Sequence, residues 1–86
     1  MELKNNQVIV LKNGKIGVTS SFNGKPFQLI FDTFTMPIRR LDENLEAKNS
    51  NYDVVEVYDG STIDEVTDVF EKGYTTEGLK AVWKRG

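Results

Sequence analysis

The chain has 86 residues, 38% hydrophobic and 28% charged, with a formal net charge of -2. That is the size and balance of one small globular domain, residues 1–86, too apolar for general disorder. It has no run of the ~18–20 apolar residues that a spanning helix needs. It contains no Cys and no His, which excludes disulfides, zinc sites of the usual kind, and Ser-His or Cys-His nucleophile pairs.

Residues 7–11, Gln-Val-Ile-Val-Leu, are β-branched and apolar and read as a strand. Asn13-Gly14 and Asn23-Gly24 then mark two hairpin turns, around strands at Ile16–Phe22 and Phe27–Phe34. Taken as two-residue turns, they set Leu11 against Ile16, Ile9 against Val18, and Phe22 against Lys25. Parity then collects one apolar face: Ile9, Leu11, Ile16, Val18, Phe22, Phe27, Leu29 and Phe31. A slip of one residue would send a strand's whole set to the other side. The opposite face carries Val8, Val10, Gly17, Thr19, Gln28, Ile30 and Asp32. It is apolar enough to need cover from a helix, a terminal strand or a second subunit.

Met36 to Leu41 is a short extended piece at a proline, and Asp42 to Asn51 a polar loop or single helical turn anchored by Leu45. Tyr52 to Tyr58 is the next strand, ended by Asp59-Gly60. A short helix follows at 62–72, N-capped by Ser61 or Thr62, with Thr62 and Glu65 at capping-box spacing. Ile63, Val66 and Phe70 form its apolar face, Asp64, Asp68 and Glu71 its acidic one, and Gly73 ends it. Gly78 opens a last strand, Leu79 to Lys84, in which Leu79, Ala81 and Trp83 share a side. The fold expected is mainly β with one short helix, as a small, strongly bent antiparallel sheet or an SH3-like barrel.

Four segments, in this order, resemble one family. They are Val8-Ile9-Val10-Leu11-Lys12-Asn13-Gly14-Lys15-Ile16-Gly17-Val18, Arg40-Leu41-Asp42-Glu43-Asn44-Leu45, Tyr52-Asp53-Val54-Val55-Glu56-Val57-Tyr58 and Leu79-Lys80-Ala81-Val82-Trp83-Lys84-Arg85. The chain resembles small SH3-like barrel accessory proteins of bacteriophages and mobile elements, mainly of Gram-positive bacteria. Glu56 stands where that pattern commonly has a basic residue, and Lys84 where it commonly has an acid. The two sign changes would together preserve an ion pair if the residues touch. The resemblance implies an SH3-like barrel at work in the host cytoplasm, with no one activity attached.

Charge is unevenly spread. Residues 1–40 hold six basic and two acidic side chains (+4), and residues 41–86 hold five basic and eleven acidic ones (-6). Such a split either averages out over the folded surface or steers an anion to one side. The candidate ligand-binding residues are Arg39, Arg40 and Tyr74. Two adjacent guanidiniums can grip a phosphate, or pair with Asp42 or Glu43 in a solvated loop. Trp83 is either core or a platform on which a base stacks, and Tyr52, Tyr58 and Tyr74 pose the same choice. Trp83, Tyr52 and Tyr58 read as core, and Tyr74, in a loop after Gly73, is the best-exposed aromatic candidate. The acidic ridge of the 62–72 helix is either a solvated face or a mimic of phosphates. The spacing Asp42-Glu43-Asn44 with Glu46 lacks the glycine and terminal Glu of a calcium loop, and no phosphate-loop fingerprint occurs.

These observations favour a non-enzymatic binding protein with no cofactor and no metal. Its partner would be a host protein or a small anionic nucleotide, the latter taken as an anti-defence act. In the nucleotide version a homo-oligomer interface, with Val8, Val10 and Ile30, would form the pocket. The alternative is a nucleic-acid-binding SH3-like barrel, against which a pI near 5.0 argues.

Overall fold

The computed structural model describes residues 2–60 and 76–85. Six strands form one open antiparallel sheet: β1 (Gln7–Leu11), β2 (Ile16–Phe22), β3 (Lys25–Ile30), β4 (Thr35–Pro37), β5 (Val54–Asp59) and β6 (Lys80–Lys84). The spatial order is β4-β3-β2-β1-β5-β6. Two single 3-10 turns, η1 (Ile38–Arg40) and η2 (Ser50–Tyr52), lie between β4 and β5. The mainly β expectation holds. The helix expected at 62–72, its caps, its two faces, and Tyr74 lie outside the described residues.

β1 sits between β2 and β5. That place explains its sequence. Val8, Ile9 and Leu11 are all buried, so the strand is apolar on both faces rather than alternating. One face holds the larger core: Leu3, Ile9, Leu11, Leu29, Phe31, Met36, Leu45, Val54 and Val57, with Phe34, Ile38, Leu41 and Trp83 packed against it. The other holds Val8 and Val18, with Ile16, Ile30, Tyr58 and Leu79. Val8 is therefore buried by its own chain and is not free for an interface with a second copy.

The single-face core expected from the two turns is corrected in β2. Val8 pairs with Val18, Ile9 with Gly17, and Val10 with Ile16. This is one residue away from the expected register. The first turn is not a two-residue loop: Leu11 N donates to Lys15 O (2.9 Å) and Gly14 N to Leu11 O (2.9 Å). Only Gly14 has a positive φ there (86°), so the loop is a three-residue turn with glycine in the left-handed position. Its backbone is held from outside, since Lys12 N donates to Asp53 O and Asn13 N to Asn51 O. Ile16 and Val18 consequently join Val8 on the second face, and Gly17 moves to the first.

The second turn has two residues, as expected, with Asn23 (φ 52°) and Gly24 (φ 79°) both left-handed. Phe22 does face Lys25, but the register shifts between Ser20 and Ser21. Phe27 is the extra residue on β3, between the partners Pro26 and Gln28. This second shift offsets the first, so Leu29 and Phe31 return to the same core as Ile9 and Leu11. Phe22 and Phe27 do not belong to it. They are 64% and 49% exposed and lean on each other at the hairpin tip, ring centroids 5.7 Å apart. Phe22→Ala and Phe27→Ala should each change stability by under about 1 kcal/mol, the value of an exposed ring pair. Urea midpoints would measure this, and a loss of core size in either variant would contradict the exposed placement.

A further shift, between Val57 and Tyr58, separates Leu79 from Trp83. Val57 pairs with Trp83 but Tyr58 with Ala81. Trp83 therefore packs on the larger core and Leu79 on the smaller one, while Ala81 is exposed. With another shift between Val10 and Leu11 of β1, these irregularities bend the sheet. The larger core is closed by Leu3, by η1 and by Leu45, the anchor expected in the polar loop. Leu45 is buried at a φ of 60°, a conformation a leucine adopts only when its surroundings impose it. Its N–H donates to Asp42 O and its carbonyl accepts from Val54 N. The Arg85 guanidinium reaches the Val54 and Asn44 carbonyls, both at 2.8 Å by Nη2, tying the end of β6 to that loop.

Glu56 and Lys84 do touch. They are register partners on β5 and β6, with Lys84 Nζ 3.4 Å from Glu56 Oε2. Tyr58 Oη donates to Glu56 Oε1 (3.1 Å), and Lys84 Nζ lies 5.9 Å from the Tyr58 ring centre. The neighbouring Tyr58 phenol, through its charge when ionised, and then the Glu56 carboxylate hold the Lys84 ammonium above its usual 10.5. A raised folded-state value means stabilisation that is complete below the ordinary value and disappears as pH rises through the folded one. Thermal unfolding from neutral pH into the range above about pH 10.5 should therefore show a steeper loss of Tm in the native chain than in Lys84→Gln. Parallel curves would remove the coupling.

Candidate functional site

Pro37 (φ -62°, ψ 135°) ends β4 and starts η1, which the Leu41 N to Ile38 O bond closes. Ile38 packs on the larger core, while Arg39 and Arg40 are exposed. The apolar residue anchors the turn, and the two cations after it face water. Both arginines line a cavity of about 590 Å³, together with Met36, Ala47, Lys48, Asn49 and Tyr52. The structure thus brings the expected pair Arg39 and Arg40 together with a third cation, Lys48. Tyr74, the third expected site residue, lies outside the described residues.

The loop opposite η1 is held by its own polar side chains. Asp42 Oδ1 accepts from Asn44 N (2.8 Å) and Glu46 N (3.0 Å). Ala47 N donates to Asp53 Oδ1 (2.8 Å). Asn49 caps η2, its Oδ1 accepting from Asn51 N at 3.1 Å. Local side-chain-to-backbone bonds of this kind make a loop that neither helix nor sheet competes for. Asp42, a candidate partner for the arginines, is turned to its own loop. The ion pairs seen between described residues are Lys15–Asp32 and Lys84–Glu56. None of the three cleft cations belongs to either.

Tyr52, expected in the core, is 36% exposed and lines the cleft. Its ring meets Phe34 edge-on, centroids 5.9 Å apart at 78°, and Phe34 stacks on the buried Phe31 at 4.6 Å and 15°. Three rings therefore run from the core to the cleft wall. Lys48 and Asn49 were not legible as site residues, and Tyr52 read as core. They sit in the acidic half of the sequence, and only the packing of the 42–53 loop against η1 sets them beside Arg39 and Arg40.

A second cavity, about 440 Å³, is lined by Ile38, Leu41, Leu3 and Leu45, with Glu2, Asp42 and Glu43. Ile38 and Leu41 thus serve the acidic cavity and Arg39 and Arg40 the basic one. The two lining sets share no residue. Among the described residues, no helix is long and apolar enough to cross a membrane. Comparison with protein-family models, with curated proteins and with solved structures gave no match.

Proposed function

We propose that the protein is a non-enzymatic binding protein that captures a small phosphorylated ligand in the cleft between η1 and the 42–53 loop. The observation that carries this reading is the lining of that cleft: Arg39, Arg40 and Lys48, with no carboxylate among the lining residues. Three like charges around one cavity repel each other, and an anion relieves that repulsion. Guanidiniums give a phosphoryl group two parallel hydrogen bonds each, which water cannot match in direction. The cleft is built within one chain, so capture does not depend on an oligomer interface.

The cleft supports a compact anion better than duplex DNA. A duplex needs a row of phosphate contacts along a convex or grooved basic face, whereas here three cations converge on one concavity. The resemblance to phage accessory proteins supports a setting in the host cytoplasm, where removing a signalling nucleotide would act against host defence. The three register shifts and the small bent sheet are in keeping with an SH3-like barrel left open between β4 and β6.

The test is thermal unfolding with inorganic pyrophosphate, followed by native mass spectrometry on protein purified gently from cells. A ligand that binds only the folded chain raises stability by about 2.7 kcal/mol at one hundred times its Kd. A rise in Tm with pyrophosphate, and a retained phosphorylated adduct, are expected. An unchanged Tm together with a bare mass would remove the reading.

A further inference from the structure

We infer that the ligand of this cleft is a nucleotide, with its base stacked on Tyr52; the inference rests on the capture reading above. The phosphoryl end of the ligand follows from η1. Successive residues of a 3-10 turn are splayed by about a third of a turn, so Arg39 and Arg40 approach the cavity from different directions. Each terminal oxygen of a phosphoryl group accepts more than one hydrogen bond, so two guanidiniums and an ammonium can share one group. Arg39, Arg40 and Lys48 all line this cavity and so fit the phosphoryl end of a ligand.

The base follows from Tyr52. An aromatic ring at a surface is usually free to turn, but this one is braced. Phe34 packs against it at nearly a right angle, and Phe34 in turn stacks on Phe31, which is buried in the core. The Tyr52 ring, 36% exposed, is therefore held in place before any ligand arrives. A preorganised ring loses little conformational freedom on stacking. Asn49 adds a polar element on the same wall. Its side-chain oxygen is committed to Asn51 N, so what it offers a ligand is its amide nitrogen, a donor suited to a ring nitrogen or carbonyl of a base. Charge, one braced ring and one donor together describe a nucleotide rather than pyrophosphate or a sugar phosphate.

Calorimetric titration with inorganic pyrophosphate, ADP and cyclic di-AMP tests this, on the native chain, Tyr52→Ala and Tyr52→Phe. At least one of the two nucleotides should bind on the order of tenfold more tightly than pyrophosphate, the usual effect of one base on one ring. The tighter of the two tells whether the cleft prefers phosphates in one chain or phosphates that bridge two nucleosides. Tyr52→Ala should remove that advantage and leave pyrophosphate unchanged, and Tyr52→Phe should keep it. Equal binding of all three compounds would overturn the nucleotide assignment while leaving anion capture intact. So would an equal loss for all three in Tyr52→Ala. Absence of binding by every compound would overturn both.

Discussion

Gly17→Val should destabilise the protein by about 3 kcal/mol, the upper end of what overpacking costs. A Cβ at position 17 would lie 2.6 Å from two ring carbons of Phe31 and 2.8 Å from the Ile30 carbonyl oxygen. Neither neighbour yields easily. Phe31 is buried and stacked on Phe34, and Ile30 is paired to Val18 of the same strand as Gly17. Moving β2 away instead would strain its pairing with β1, where Gly17 faces Ile9. The sign is informative, because the simple expectation runs the other way. Valine is a better strand former than glycine, and losing a glycine's freedom in the unfolded chain by itself stabilises by about 0.4–1 kcal/mol. On the opposite face that the two-residue turn implied for Gly17, away from Phe31, this clash would not arise.

For a domain of this length 3 kcal/mol is a large share of a total stability of roughly 4–13 kcal/mol. Urea denaturation would read it as a lower midpoint at unchanged slope. Gly17→Ala, with two methyls fewer, is the variant to use where Val prevents folding. Combining it with Phe31→Leu should recover part of its loss, since the flat ring that the Cβ meets is then gone. A stable Gly17→Val protein would mean that β1 and β2 pair in the other register.

The second large effect concerns binding. Replacing Arg39 and Arg40 together by alanine should lower affinity for inorganic pyrophosphate on the order of a hundredfold. That is the low end of two charge-assisted hydrogen-bonding groups, each about 1.5–3 kcal/mol, discounted for exposure. Lysine at both positions should restore only part of the affinity, because it keeps the charge and loses the planar fork. The stability of the alanine variant should be unchanged within about 0.5 kcal/mol, as expected of exposed side chains. Lys25→Ala, on the β2–β3 hairpin, changes net charge without touching the cleft and should leave affinity unaltered. Equal loss in Lys25→Ala would mean that net charge, not the site, attracts the anion.

Much of the fold is legible because strand formation here is local. The runs at 7–11 and 16–22 are β-branched and bounded by Asn-Gly, and they form β1 and β2 with those limits. Leu45, a lone large apolar residue in a polar stretch, is buried as its isolation suggests. The opposite signs of Glu56 and Lys84 foretell a contact that strand pairing supplies. Arg39 and Arg40 stand out as an adjacent basic pair after a proline, and both line the cleft.

What the chain's own order of residues determined, then, is where extended segments begin and end, and which groups carry charge. Only the tertiary structure decided how the segments register and which loops meet. Asn-Gly fits both a two-residue and a three-residue turn, and the energies of the two differ little. The choice at Asn13-Gly14 coincides with hydrogen bonds from Lys12 and Asn13 to Asp53 and Asn51, about forty residues away. Through that one-residue difference Ile16, Gly17 and Val18 change faces. The cleft has the same origin. Lys48 and Tyr52 join Arg39 and Arg40 because Leu45 is drawn into the core and folds the 42–53 loop over η1. Burial of an apolar side chain, which is indifferent to direction, thus places the polar groups whose positions matter for binding.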